Sequence, residues 1–78
     1  MIIWSKDGNT MVESKNVFSF FVNTDSGKSY LAAMSNTNAT GIPIGEYETL
    51  PEAKKALQDL FNVLTSEHRT NQTSYQIQ

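Results

Sequence analysis

The chain has 78 residues, no cysteine, and six Lys plus Arg against eight Asp plus Glu, for a formal charge of −2. This length gives one domain, which buries only about 60% of its unfolded surface, and the lack of cysteine excludes disulfides and thiolate metal sites. The pI near 5.1 argues against a nucleic-acid-binding domain, because such domains carry a basic patch and have a high pI. Because small domains often gain stability by self-association, we expect a homo-oligomer.

Metal, cofactor and membrane binding are not expected either. His68 is the single histidine, which makes a zinc site within one chain improbable, and no cofactor motif is present. No apolar run approaches the ~20 residues of a membrane span, and Met1–Lys6 lacks the basic and apolar regions of a signal peptide. We therefore expect a cytoplasmic protein.

Five segments have the composition of β-strands. The strongest, Val17–Val22, is apolar on both faces, so we expect it at the centre of a sheet or between two layers. Asp7-Gly8 is a hairpin signal, Ser14–Asn16 predicts a bulge or tight turn, and Pro43 restricts its strand to an edge or a strand start. The predicted strands are Ile2–Ser5, Thr10–Glu13, Val17–Val22, Ser29–Met34 and Ile42–Glu48.

A helix is predicted over residues 50–66. Thr49 and Glu52 have capping-box spacing, in which each side chain bonds the other residue's amide, and Pro51 suits the first turn. The apolar residues that follow recur at helical spacing: Ala53, Ala56, Leu57, Leu60, Phe61 and Leu64.

These elements predict an α+β domain over residues 1–66. Its fold is an antiparallel β-meander of three to five strands, with one C-terminal amphipathic helix packed on a face. Residues 67–78 form a polar tail, in which Tyr75 and Ile77 alternate with polar neighbours. Two alternatives stay open for the tail: a short added strand, on this subunit or on another, or disorder. One helix covers one sheet face, which leaves apolar surface for a second subunit or a ligand.

Catalytic chemistry has no support in the sequence. Ser26-Gly27-Lys28-Ser29 resembles the end of a P-loop, but Val22 stands where the pattern needs Gly, so the segment predicts a hairpin turn. His68 is the one imidazole, no cysteine nucleophile exists, and the aspartates are scattered. We expect no enzymatic activity.

Candidate ligand-binding residues are cations, aromatics and a polar loop. Lys28 can contact an anion, but it offers only a single charge. Arg69 either interacts with the helix C-terminal dipole or binds a phosphate with two parallel hydrogen bonds. Trp4 and Tyr47 belong either to a core or interface, or to a platform that stacks on a base. Asn38 and Thr40 lie in a predicted loop, residues 35–41, which is either a linker or a site for ribose or phosphate.

Two blocks of sequence resemble a family of small proteins common in Gram-positive bacteria and their phages. One is the opening WSKDGNTMV, residues 4–12, and the other is GEYETLPEA, residues 45–53, a Gly-x-Tyr strand end before an acidic helix start. The resemblance implies a fold and a phage or mobile-element setting in the host bacterial cytoplasm, and it assigns no site. Pro51 and the Asn-rich middle loop depart from the pattern.

The phage setting implies a stoichiometric role against host defence. One hypothesis is an oligomeric sponge that sequesters a nucleotide-derived immune signal, with Trp4, Lys28, Asn38, Thr40, Tyr47 and Arg69 as its binding residues. The alternative is an inhibitor or assembly module that binds a host or phage protein through its sheet face. A retained nucleotide would distinguish the first from the second.

Overall fold

The computed structural model describes residues 1–35, 38–66 and 71–78, and it contains six strands and one α-helix. A single 3₁₀ turn, Ser14–Asn16, joins the second and third strands. The elements are β1 (Ile2–Trp4), β2 (Met11–Glu13), β3 (Val17–Asp25), β4 (Lys28–Ser35), β5 (Asn38–Tyr47), α1 (Leu50–Thr65) and β6 (Ser74–Gln76). The predicted α+β class with one helix is confirmed, and the strands divide into two sheets of three.

The larger sheet is an antiparallel meander in the order β3-β4-β5. Ser26 and Gly27 connect β3 to β4 with φ angles of 54° and 80°, the two left-handed residues of a tight hairpin turn. This confirms the turn predicted there in place of a phosphate-binding loop. Pro43 lies in β5, which is an edge strand as predicted.

Val17–Val22 was expected at the centre of a sheet or between two layers, and the first of these alternatives is wrong, because β3 is an edge strand and β4 lies at the centre of the sheet. Phe20 and Val22 pack against the core, whereas Phe21 belongs to the opposite face. The register with β4 shifts between Val17 and Ser19, and Phe18 at this β-bulge is 62% exposed. Both faces of this strand are therefore apolar because Phe18 lies at a bulge and Phe21 is partly covered on the open face of the sheet. Central burial is not the reason.

The open face of the larger sheet is partly covered by its own side chains. A Cβ built on Gly41, whose φ is +95°, would lie 2.8 Å from the Phe21 ring. Phe21 thus lies across Gly41, and Ala32 beside it is only 5% exposed. Glycine is needed here both for its φ and for the close approach of the ring.

The smaller sheet has the order β2-β1-β6 and joins the two ends of the described chain. Strand β1 pairs antiparallel with β2 and parallel with β6. Strand β6 therefore departs from the antiparallel arrangement that was predicted. The alternation of Tyr75 and Ile77 does mark a strand, and β6 pairs with β1 of the same chain. Ile77 is 2% exposed, and its amide donates to the Trp4 carbonyl at 2.9 Å.

Helix α1 begins at the predicted cap. The Thr49 side chain accepts from the Glu52 amide at 3.4 Å, and the Glu52 carboxylate accepts from the Thr49 hydroxyl at 2.8 Å instead of from its amide. Ala53, Ala56 and Leu60 are buried, as the stripe predicted. Phe61 was predicted in the same stripe, but it is 57% exposed.

One core joins both sheets and the helix. It contains residues from the small sheet, from β4 and β5, and from the buried stripe of α1: Met1, Ile3, Ile77, Leu31, Ala33, Ile44, Tyr47, Ala53, Ala56 and Leu60. The two sheets are therefore parts of one hydrophobic unit, in keeping with a chain too short for two cores.

The predicted polar loop of residues 35–41 is mostly strand. Strand β4 continues to Ser35, β5 begins at Asn38, and these two residues are partners in the ladder. Backbone pairing with β4 overrides the weak local preferences of Asn, Ala and Thr in this segment.

Candidate functional site

The outer face of the small sheet is the first candidate for a binding surface. Alternation along β1 places Ile3 in the core at 0% exposure and puts Ile2 and Trp4 on the opposite face. The register adds the flanking residues, and this surface, called the Trp4 face below, consists of Ile2, Trp4, Met11, Glu13, Ser74 and Gln76.

Trp4 and Met11 form its apolar centre. They are direct partners across the β1–β2 ladder, and they are 40% and 59% exposed. Ile2, on the same face, is half-buried. Glu13, Ser74 and Gln76 supply a polar margin around these three side chains. An apolar patch rimmed by polar residues is typical of protein interaction sites.

The turn between β1 and β2 attaches the small sheet to the larger one. The Ser5 hydroxyl donates to the Asp7 carboxylate at 2.6 Å and accepts from the Thr10 amide at 3.0 Å, and the Asn9 amide donates to Asp7 at 2.9 Å. Two hydrogen bonds hold the pKa of Asp7 below its ordinary value: the one from the Ser5 hydroxyl has the larger effect, and the one from the Asn9 amide comes second. The Lys6 amide donates to the Ile44 carbonyl at 2.7 Å, which attaches the turn to β5.

Tyr47 is a structural centre where β5, the turn and the C-terminal strand meet. Its hydroxyl donates to the Gln78 carbonyl at 2.7 Å, and the Lys6 ammonium lies 4.2 Å from the ring centroid. A Cβ on Gly45 would approach the ring to 2.9 Å, so this glycine makes room for it. Burial raises the pKa of the Tyr47 hydroxyl. At 6% exposure, the ring offers little surface for stacking with a base.

A cavity of about 550 Å³ lies between the β1–β2 turn and β4–β5. Its polar lining includes Lys6, Asp7, Tyr30 and Glu46. The Lys6 ammonium donates to the Glu46 carbonyl at 3.0 Å, which places one cation in the wall beside two carboxylates. The size suits a small molecule, whereas the carboxylates oppose binding of a polyphosphate.

Lys28 is already engaged with carboxylates. Its ammonium lies 3.4 Å from both Glu46 and Glu48, and these ion pairs, the Glu46 hydrogen bond first among them, raise the pKa of Lys28. The two carboxylates thus lie around one lysine, which leaves that lysine poorly suited to attract a free anion.

The predicted ligand-binding residues do not converge on one site. Lys28 and Asn38 lie near opposite ends of the β4–β5 ladder, since Lys28 begins β4 and Asn38 pairs with Ser35 at its other end. Seven residues of strand separate these ends by roughly 20 Å. Thr40 is exposed in β5, toward the Asn38 end. Trp4 is on the outer face of the small sheet, and Arg69, with His68, lies outside the described residues.

Sequence reasoning missed the partner of Trp4. Met11 carries no chemical signal of its own, but the Asp7-Gly8 hairpin predicted between the first two strands fixes which residues oppose one another. Counting outward from that turn would have placed Met11 beside Trp4.

Lys6 and Tyr30 were missed as cavity residues because the contact between the turn and β5 joins residues about forty positions apart.

Comparison of the chain with protein-family models, curated proteins and solved structures finds no match. The family resemblance of the two sequence blocks stays a prediction.

Within residues 1–35, 38–66 and 71–78, no cluster of three His, Asp or Glu side chains is arranged to hold a metal ion. In the same part of the chain, no helix has the length and apolar character needed to cross a membrane.

Proposed function

We propose that this chain is a non-catalytic binding protein that recognises a protein partner through its Trp4 face. The observation that supports the proposal is the cross-strand pair of Trp4 and Met11, 40% and 59% exposed on a polar-rimmed sheet surface. Tryptophan is enriched among residues that dominate binding energies, and methionine adapts to irregular partner surfaces. The resemblance to phage proteins suggests a host or phage protein as the partner, so the role would be inhibition or assembly.

Two features support the Trp4 face over the open face of the larger sheet. Phe21 on that open face lies across Gly41 and is half-buried, so its apolar area is already covered in part. Trp4, by contrast, belongs to a strand fixed on its other side by the fully buried Ile3. Because the backbone that carries Trp4 is held in place, binding has only this side chain to order, which limits the entropic cost.

Sequestration of a nucleotide-derived signal remains the second candidate, and the cavity is the observation that favours it. A volume of about 550 Å³ can hold a nucleotide, and Lys6 with Tyr30 would supply a cation and an aromatic ring. Asp7 and Glu46 line the same cavity, so a ligand of low negative charge fits better than a triphosphate. The sponge would also require self-association.

The first test captures partners from a Gram-positive bacterial lysate on immobilised wild-type protein and on two variants. Trp4→Ala removes the centre of the proposed site, and Phe61→Ala is the matched control, an aromatic 57% exposed on the helix. A partner that uses the Trp4 face should bind Trp4→Ala about 30-fold more weakly, as expected for loss of a dominant contact. It should bind Phe61→Ala like the wild type. Equal binding to both variants would contradict the proposal.

Native mass spectrometry with cyclic and ADP-ribose-derived nucleotides tests the second candidate. The sponge hypothesis expects an oligomer whose mass increases by that of a bound nucleotide. Lys6→Ala should weaken that binding, since Lys6 is the cation in the cavity wall. A protein indifferent to every nucleotide in the panel would leave the protein-partner proposal as the sole candidate.

A further inference from the structure

The three methionines of the chain are exposed to very different degrees. Met11 is 59% exposed, Met1 is 7% exposed in the core, and Met34 is half-buried in the central strand β4. An oxidant must reach the thioether sulfur to modify it, so the susceptibility of a methionine follows its exposure. The chain also has no cysteine, whose thiolate would compete for the oxidant. Met11 is therefore the side chain that a mild oxidant should modify first.

Met11 and Trp4 form a cross-strand pair of the kind in which side chains approach most closely. The Ser5 amide donates to the Thr10 carbonyl at 2.8 Å, which makes the next pair along the ladder a hydrogen-bonded one. Hydrogen-bonded and non-hydrogen-bonded pairs alternate in an antiparallel ladder, so Trp4 and Met11 form a non-hydrogen-bonded pair. Cβ atoms of such partners lie about 4.5–5.5 Å apart, which brings the thioether within reach of the indole.

Oxidation of Met11 changes the centre of the Trp4 face chemically. A methionine sulfoxide is polar and carries an oxygen that accepts hydrogen bonds, whereas the thioether is apolar. A partner surface that packs on Trp4 would have to remove water from this oxygen, and it would often leave the oxygen unpaired. Because Met11 lies outside the core, the fold itself should tolerate the change.

We propose that Met11 is a modification site, at which hydrogen peroxide converts the Trp4 face from apolar to polar and thereby releases the protein partner. The sulfur lone pair attacks one peroxide oxygen, so that an S–O bond forms and the O–O bond breaks. The sulfur loses two electrons to the peroxide, and the proton of the transferred oxygen passes to the departing hydroxide, which leaves as water. A methionine sulfoxide reductase reverses the step: two thiols become a disulfide, and the oxygen leaves as water.

The selective oxidation of Met11 is tested on the free chain, without any partner. During treatment of the full chain with dilute hydrogen peroxide, peptide mass mapping should show sulfoxide several-fold faster at Met11 than at Met34 or Met1. The emission of Trp4, the single tryptophan, should change at the same rate, and retention on a phenyl column should decrease. Circular dichroism and the melting temperature should stay close to those of the reduced chain.

Two variants serve as matched controls for this experiment. Met11→Leu should show neither the change in emission nor the change in retention, whereas Met34→Leu should respond to peroxide like the wild type. Faster oxidation at Met1 or Met34 would overturn the proposal. Unchanged Trp4 emission and unchanged phenyl retention after complete oxidation of Met11 would overturn it as well.

The release step rests on the protein-partner proposal and is tested with the protein that the wild-type chain captures. Peroxide is removed before that protein is added, so that only this chain is oxidised. Oxidation should raise the dissociation constant of the wild type roughly tenfold, and a methionine sulfoxide reductase with dithiothreitol should restore it. Met11→Leu should give one value before and after peroxide, whatever its own affinity.

The outcomes separate the two proposals. A partner that binds the oxidised and the reduced wild-type chain equally well would overturn the release step. Failure to capture any partner would contradict the protein-partner proposal and the release that depends on it. The mass mapping of the free chain would still decide whether Met11 is the oxidation site.

Discussion

The two sheets contrast in how they are built and in what they leave exposed. The larger sheet consists of long strands adjacent in sequence, with a helix on one face, and its unsatisfied surface is the backbone edge of β3. The smaller sheet consists of three-residue strands, two of which come from opposite ends of the described chain, and its unsatisfied surface is a face of side chains. An open edge suits pairing with another strand, whereas an apolar face suits docking of a partner surface.

The largest expected effect tests whether the two sheets are one cooperative unit. Ile3→Ala deletes a fully buried side chain of the small sheet and should lower the free energy of unfolding by about 2–5 kcal/mol. Because the core is shared, the loss should appear equally in Trp4 fluorescence, which reports the small sheet, and in the circular dichroism of α1. Ile2→Ala, on the outer face of the same strand, is the control and should cost less. Separate transitions for the two probes would show that the sheets unfold independently.

The packing of Tyr47 on Gly45 gives the next effect. Gly45→Ala places a methyl group 2.9 Å from the ring and should destabilise the fold by about 1–3 kcal/mol in urea unfolding. In a Tyr47→Leu background the same change should cost much less, because the ring that obstructs the methyl group is gone. Equal costs in both backgrounds would place the strain elsewhere in β5.

The Tyr47 hydroxyl is expected to contribute a smaller amount. Tyr47→Phe removes the donor to the Gln78 carbonyl and should cost about 1 kcal/mol at neutral pH. Gln78→Ala keeps the main-chain acceptor, so it serves as a control with little effect. Burial raises the pKa of Tyr47, so its contribution is present below the ordinary tyrosine pKa of about 10 and is lost as pH rises. Alkaline unfolding of Tyr47→Phe should therefore depend less steeply on pH, and an unchanged slope would contradict this.

Asp7 should give the smallest effect, confined to acid. Its pKa is held below the ordinary value by the Ser5 hydroxyl and the Asn9 amide, so the ionised form stabilises the folded turn. That contribution is present above the ordinary aspartate pKa of about 3.9 and is lost as pH falls below it. Melting temperatures from pH 7 to pH 2 should fall less steeply for Asp7→Asn than for the wild type. Parallel curves would mean that Asp7 does not contribute.

Much of the larger sheet and helix could be predicted from local signals. Thr49, Pro51 and Glu52 fixed the start of α1, and Ser26-Gly27 fixed the β3–β4 turn, because these effects act within a few residues. The position of β3 could not be predicted, since edge and central strands differ in what pairs with them and not in their own composition. For that reason, the apolar run Val17–Val22 was predicted to lie at the centre of a sheet or between two layers.

The candidate sites depended more on distant contacts. Trp4 was identified as a possible binding aromatic, but its exposure follows from the burial of Ile3 and the pairing with β6, more than seventy positions away. Tyr47 was identified for the same chemistry, yet it is enclosed by Lys6, Gly45 and the Gln78 carbonyl. Two aromatics that were assigned the same alternatives thus differ because tertiary structure covers Tyr47 and leaves Trp4 open.

Site-specific photo-crosslinking tests the central claim, that the Trp4 face binds a protein partner. A benzophenone amino acid would replace Met11, directly opposite Trp4, or Phe61 on the helix, two positions 59% and 57% exposed. After irradiation in Gram-positive cells, we expect a discrete adduct with one protein from position 11, abolished by Trp4→Ala, and no such adduct from position 61. The same adducts from both positions, or adducts at position 11 that survive Trp4→Ala, would contradict it.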